Sequence, residues 1–400
     1  MTTYNFDREI DRKNTNSLKY DFAVERGRDA DVLPLWVADM DFQAPKPVLD
    51  ALQNAVSHGI FGYSEVKGEY FDALYRWFDS RFDWQPKSEW LVKSYFRLFA
   101  PGVVFALAMA VRALTKEGDS VLIQPPVYYP FFEVIRDNNR KIVESPLLLA
   151  DGHYEIDFDD LEEKIASQNV KLFLLCSPHN PVGRVWTKEE LQKLGELCDR
   201  YHVFVVADEI HCDFAFPEHP HTIFAKACPQ LEENMILCTA PSKTFNLAGL
   251  QVSNIWVPGK EVRDRFKAEI NAAGYSQLNA LGLIACQAAY ENGGEWLEQC
   301  QAYLRENLKI LRSFLRERLP KIRLIEPEGT YFAWLDCSEL GLSDTALENL
   351  IAHQAKLWLD GGSVFDKKSG QFERIVLACT KKTLLQALTQ LEAACRGRNS

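Results

Sequence analysis

Paired cysteines are missing from this 400-residue chain. Its 10 cysteines are scattered singly from Cys176 to Cys395, with no C-x-x-C and none before Cys176. A secreted disulfide framework is denser and shorter, so these read as reduced, mostly buried thiols of a cytoplasmic protein. Long apolar runs are also missing. The longest, Gly102 to Val111, is far shorter than the ~20 residues a membrane span needs. The start of the chain, with Asp7, Arg8, Glu9, Asp11, Arg12 and Lys13, is too polar for a signal peptide. Positive charge is in deficit: 45 Lys+Arg stand against 56 Asp+Glu, a formal net charge of −11. That disfavours nucleic acid and anionic membranes, which reward clustered Lys and Arg. It leaves room for a small anion in a local basic pocket. There is no fixed-period repeat, no low-complexity linker, no G-x-S-x-G, no Walker A and no G-x-G-x-x-G after a strand.

What is present is ordinary globular material, 47% hydrophobic and 25% charged. This length allows a large core in one big α/β domain or in two domains. Four short apolar runs read as strands: Ser120–Gln124, Lys171–Ser177, Val203–Ala207 and Met235–Thr239. Between the second and third lies Thr187–Arg200. Thr187 and Glu190 form a capping box, and apolar positions 191, 194, 197 and 198 share a helix face. Continuously apolar strands alternating with amphipathic helices predict an α/β fold with a mainly parallel sheet covered by helices. A smaller α+β domain is expected to follow. It would contain a helix over Glu295–Leu319, strands at Thr330–Asp336, Lys356–Leu359 and Arg374–Ala378, and a helix over Lys382–Ala394. The expected division is 1–45 as an N-terminal segment packing on the small domain, 46–288 as the large domain and 289–400 as the small one.

In such sheets ligands gather outside the carboxyl ends of the strands. Tyr128, Asn180, Asp208 and Lys243 all fall there, each after or at the end of one strand. A partly buried lysine amine is a nucleophile able to form a Schiff base; a solvated loop lysine is the plain alternative for Lys243. A buried Asp208 needs a partner, such as a protonated pyridine nitrogen, a helix cap or a salt bridge. Pro178, Pro181 and Gly183 make a rigid turn around Asn180. Gly102 opens an apolar helical stretch reaching Leu114, where backbone N–H groups can meet a phosphate. Tyr128 offers a flat stacking face or simply fills core. Arg374 could grip a carboxylate or sit on the surface. His211, Cys212, His219, His221 and Cys228 cluster in sequence, but their spacing matches no standard zinc signature, so no metal is expected.

The ordered motifs Ser-Pro-His-Asn-Pro-Val-Gly at 177–183, Ala-Asp-Glu-Ile-His at 207–211 and Pro-Ser-Lys-Thr-Phe-Asn-Leu-Ala-Gly-Leu at 241–250 resemble the fold-type I pyridoxal-phosphate enzymes, in the class I/II aminotransferase superfamily. Trp-Val-Ala-Asp-Met-Asp-Phe at 36–42 and Pro-Val-Tyr-Tyr-Pro-Phe at 126–131 are similar to the cystathionine β-lyase branch, the C–S lyases of the MalY and PatB type. The resemblance runs from about residue 4 to residue 394.

It implies a pyridoxal 5'-phosphate cofactor and a role for each motif. Lys243 matches the Schiff-base lysine, Asp208 the partner of the pyridine nitrogen and Asn180 the donor to the phenolic oxygen. Tyr128 matches the stacking ring, with stacking or proton transfer as its contribution. Gly102, Val103 and Val104 match the phosphate turn, and His211 and Ser242 join the cofactor set. Tyr63 looks like the tyrosine that reaches the neighbouring subunit's phosphate, implying a homodimer with the active site at its interface. Arg374 matches the α-carboxylate clamp, with Asn180 and Ala38 beside the substrate. Lys243, Tyr128 and Asp208 are thus the catalytic set. The implied reaction is elimination from cystathionine or a cysteine S-conjugate to thiol, pyruvate and ammonia. An aminotransferase and a regulatory cofactor-binding protein are the alternatives.

Some positions depart from the pattern. Gln251 stands where aminotransferases often carry a phosphate-binding Arg. Val376 stands where the branch usually has Asn, Cys379-Thr380-Lys381 where it has Cys-Pro-Arg, and Phe105 replaces a common proline.

Overall fold

The computed structural model describes residues 3–91, 102–275 and 279–397. The main sheet has six strands: β1 (Ser120–Ile123), β2 (Lys141–Glu144), β3 (Val170–Cys176), β4 (Phe204–Asp208), β5 (Met235–Thr239) and β6 (Asn254–Trp256), in spatial order β2-β1-β3-β4-β5-β6. Neighbours run parallel except β6, which pairs antiparallel with β5. The four expected strands are the inner four. Every residue of β1 and β5 is buried, as expected of strands covered on both faces. The edge strands escaped sequence reading for a physical reason. β2 carries Lys141 and Glu144 exposed at its ends, and β6 has only three residues, so neither forms a continuous apolar run.

The helix Lys188–Arg200 packs on one face of this sheet. Its capping box forms, with Glu190 N–H donating to Thr187 Oγ1 at 3.1 Å and Thr187 N–H donating to Glu190 Oε2 at 2.8 Å. Leu191, Leu194, Leu197 and Cys198 are the buried stripe. Burial of each leucine contributes about 1.5–3 kcal/mol. On the other face lies the helix Val103–Leu114, apolar nearly all round and buried accordingly.

The C-terminal part carries its own antiparallel sheet, in the order Arg323–Ile325, Phe332–Asp336, Phe372–Val376, Asp360–Gly361. Helices Gly294–Arg318 and Lys381–Arg396 flank it. One expected strand goes elsewhere. Leu357 and Trp358 pair in parallel with Leu33 and Pro34 instead of joining this sheet. The N-terminal segment is thereby tied to the C-terminal part, and the Trp36 ring stacks on Trp358 at 4.2 Å. Thr380, a departure from the family pattern, caps the last helix by accepting from Thr383 N–H. Val376 is fully buried in the core, and its backbone N–H donates to Leu35 O.

Candidate active site

The carboxyl ends of β3, β4 and β5 open into one cavity of about 250 Å³. Ala38, Gly102, Val103, Val104, Tyr128, Asn180, Asp208, His211, Ser242 and Lys243 all line it, joined by Cys176 and Gln251. Parallel strands in register explain the convergence. Cys176 and Cys238 sit directly across from Asp208 on β3 and β5, so the turns that follow leave the sheet together. Of the residues expected at the site, two lie outside this lining. Tyr63 is 94% exposed on this chain. Arg374 lies beside the cavity and reaches it through Asn180. Pro101, which precedes the expected phosphate turn, lies outside the described residues.

Lys243 lies in the short helical turn Pro241–Thr244 that follows β5. Its Nζ donates to Ala38 O at 2.9 Å. Burial first, then the Arg374 charge, lowers its pKa to about 8, against the pull of Asp39 and Asp208. Asp208 ends β4 and is buried. Its carboxylate accepts from Ile210 N–H at 3.2 Å, its one hydrogen bond among the described residues. Burial pushes its pKa up to about 7, with Glu209 adding to the rise and Lys243 opposing it. A buried carboxylate with so few donors is set to meet a cationic partner in the cavity. His211 packs its ring against Phe332 and Tyr331, and its Nδ1 has no hydrogen-bond partner among the described residues. Burial, then the Lys243 and Arg374 charges, hold it well below its usual pKa, so it is neutral.

At the other end of the cavity, Gly102, Val103 and Val104 begin the helix that runs to Leu114. Its first N–H groups have no acceptor within the helix and carry the positive end of the dipole. That suits a phosphate, as do the nearby Ser242 and Gln251.

Arg374 is 3% exposed and is not a surface residue. Its NH1 donates to Asn180 Oδ1 at 2.8 Å and its NH2 to Trp36 O at 3.0 Å. NH2 also pairs with Asp360, on the neighbouring strand. The guanidinium lies over the rings of Phe332 and Phe365.

The strap carrying Ala38 is the part that sequence reading left unexplained. Asp39 and Asp41 are held by Arg12, at 2.7 and 2.8 Å, and by Lys19, which is fully buried. The Tyr20 hydroxyl donates to Asp41 Oδ2. Asn246, three residues past Lys243, accepts from Met40 N–H and donates to Met40 O and Phe42 O. Tyr331 adds a second donor to Ala38 O, at 3.1 Å. Residues 36–42 were visible as a motif; that Arg12 and Lys19 fold back onto it was not, because nothing in spacing links them.

The chain matches the family model "Aminotransferase class I and II" over residues 31–391. It belongs to that family. Cystathionine beta-lyase PatB of Bacillus subtilis (strain 168) is 42% identical over 390 residues, covering 98% of this chain and 99% of the relative. Protein MalY of Escherichia coli (strain K12) is 31% identical over 396 residues, covering 98% and 99%. Among solved structures, cystalysin of Treponema denticola, which contains a pyridoxal 5'-phosphate cofactor, superposes with a TM-score of 0.94 at 37% identity, covering 99% of this chain and 100% of that one. The fold expected from the class I/II resemblance is therefore the fold observed.

Proposed function

We propose that this chain is a pyridoxal 5'-phosphate-dependent C–S β-lyase that splits cystathionine or a cysteine S-conjugate into thiol, pyruvate and ammonia. The carrying observation is the near-full-length likeness to a cystathionine β-lyase, over a cavity that joins Lys243, Asp208 and Asn180. The residues present fit the cofactor. The Val103–Leu114 helix start suits the phosphate, Asp208 suits a ring cation, and the Lys243 amine suits the aldehyde. Bound there, the cofactor supplies an electron sink for the bond electrons at the substrate α-carbon.

The chain's own residues do the rest. Arg374 holds the substrate carboxylate, with its plane set by Asn180 and the Trp36 carbonyl. Lys243, with an amine near pKa 8, takes the proton from the α-carbon at Nζ. The C–S bond at the β-carbon then breaks, and the sulfur leaves with the electron pair and takes up a proton. Burial raises the Tyr128 pKa, so that hydroxyl keeps its proton beside the cavity and can donate it. The remaining three-carbon fragment hydrolyses to pyruvate and ammonia. Asp208 would pair with the ring nitrogen, and that cation would favour the ionised carboxylate that keeps the sink cationic.

The active assembly is a homodimer in this reading, in which the exposed Tyr63 reaches the partner's phosphate site. Its place is the cytoplasm, in keeping with ten free cysteines. The test is to incubate the purified protein with cystathionine and measure thiol and pyruvate, then add a keto-acid acceptor. Thiol and pyruvate in equal amounts are expected. Amino transfer without thiol release would make the chain an aminotransferase, and neither activity in the cofactor-loaded protein would make it a regulator.

A further inference from the structure

Arg374 meets Asp360 where the strands Phe372–Val376 and Asp360–Gly361 pair, residue opposite residue. Both side chains are largely buried, at 3% and 13% exposure. With two rings against the guanidinium, a ligand must approach its N–H edges. NH1 gives one of its two hydrogens to Asn180, while both NH2 hydrogens go to Trp36 O and Asp360. The Nε–H is buried and has no partner among the described residues. A carboxylate needs two neighbouring N–H groups for a bidentate grip. Nε, or the remaining NH1 hydrogen, offers one; in either arrangement the second comes from NH2, so one of its acceptors has to yield. Trp36 O is backbone in a strap that is bolted down at Asp39 and Asp41. Asp360 is a side chain, which can yield by rotating about its own bonds, and it carries the like charge.

We propose that Asp360 competes with the substrate carboxylate for Arg374, leaving NH2 or losing its charge when the carboxylate seats. This rests on the reading of Arg374 as the clamp. It makes Asp360 a positioning residue that sets the clamp's affinity and its response to pH. The charge balance around it agrees. Arg374 and Arg28 favour the ionised carboxylate, yet burial wins and raises its pKa. Tyr128 and Tyr129 face it from the segment after β1. Glu373, beside Arg374 on the neighbouring strand, feels both Asp360 and Glu348, while Arg28 pairs with Glu348. A second anion entering this acid-rich surround favours protonation of Asp360.

The test uses the cofactor-loaded protein and L-alanine, an amino acid with no leaving group. Binding is read from cofactor absorbance between pH 6 and pH 9, with ethylamine as a ligand that lacks the carboxylate. Asp360→Asn is isosteric and uncharged. It should bind L-alanine about tenfold more tightly at the alkaline end, a change of about 1.4 kcal/mol. The gain should shrink at the acid end, and ethylamine binding should not change. Asp360→Ser should move affinity in the same direction. Weaker L-alanine binding in both variants would mean that Asp360 orients the clamp, and an equal affinity at every pH would mean that it does not compete; either overturns the proposal. Arg374→Ala separates the underlying reading, since L-alanine binding as tight as wild type would remove the clamp itself.

Discussion

Lys243 and Ala38 lie 205 residues apart, yet the lysine amine donates to the Ala38 carbonyl at 2.9 Å. That bond joins the turn after β5 to the N-terminal strap, so the reactive amine is placed by two segments at once. Lys243→Ala should abolish the borohydride-sensitive visible band of the loaded protein and lower kcat by at least about 10³-fold. A persisting band would show that another group holds the cofactor.

The Lys243 amine has a second signature. Its pKa near 8 means that it is protonated and inert below that pH and a free nucleophile above it. Ordinary exposed lysines lose their proton near 10.4. In cofactor-free protein, acylation of Lys243 followed by mass spectrometry should therefore rise with a midpoint near pH 8. Asp208→Asn removes an anion that favours the ammonium form and should lower the midpoint, whereas Arg374→Ala removes a repelling cation and should raise it. A wild-type midpoint above pH 10 would contradict the assigned environment.

Asp208→Asn keeps the shape and loses the charge. A fixed charge aimed at the reacting centre in a buried site is worth about 10²–10³ in rate. The expected result is a kcat loss of that size with KM changed little, measured by pyruvate release.

Lys19 is fully buried and faces Asp41 at 3.1 Å. Lys19→Met leaves Asp41 with Arg12 and Tyr20, so the loss should sit at the low end for a broken buried pair, about 3 kcal/mol. Urea unfolding of the two proteins measures it directly.

Gly183 has φ +76°, and a Cβ there would stand 2.8 Å from Pro327 Cβ. Its carbonyl also accepts from Glu328 and Gly329 N–H. Gly183→Ala should cost about 1–3 kcal/mol through the left-handed conformation alone. The same turn carries Asn180, the partner of Arg374, so KM for the amino acid should rise as well.

Local physics was legible where each residue answers to its near neighbours. The Thr187–Glu190 capping box and the 191, 194, 197, 198 stripe came out as read, because both depend on residues within one or two helical turns. The inner strands were legible because burial on both faces demands an unbroken apolar run. The sheet edges were not, because an edge strand keeps polar residues and loses that signal.

The site divides in the same way. Tyr128, Asn180, Asp208 and Lys243 could be placed at strand ends, and the parallel register then brought them to one cavity. From its own neighbours Arg374 was visible only as a residue type on a strand, and its clamp role came from the family resemblance. Its pairing with Asp360 comes from strand pairing, and its bond to Asn180 from the packing of the turn after β3 against this strand; no local pattern encodes either.

By itself, the sequence determined the alternation of strands and helices, the order of the chemical groups along the chain and the family that they signal. Tertiary structure alone decided that Arg12 and Lys19 anchor the strap, that Leu357–Trp358 pairs with Leu33–Pro34, and that Asp360 rather than solvent balances Arg374. The reason is one of range. Propensity, capping and periodicity act within a few residues, whereas ion pairs between buried groups depend on which distant segments the core has already brought together.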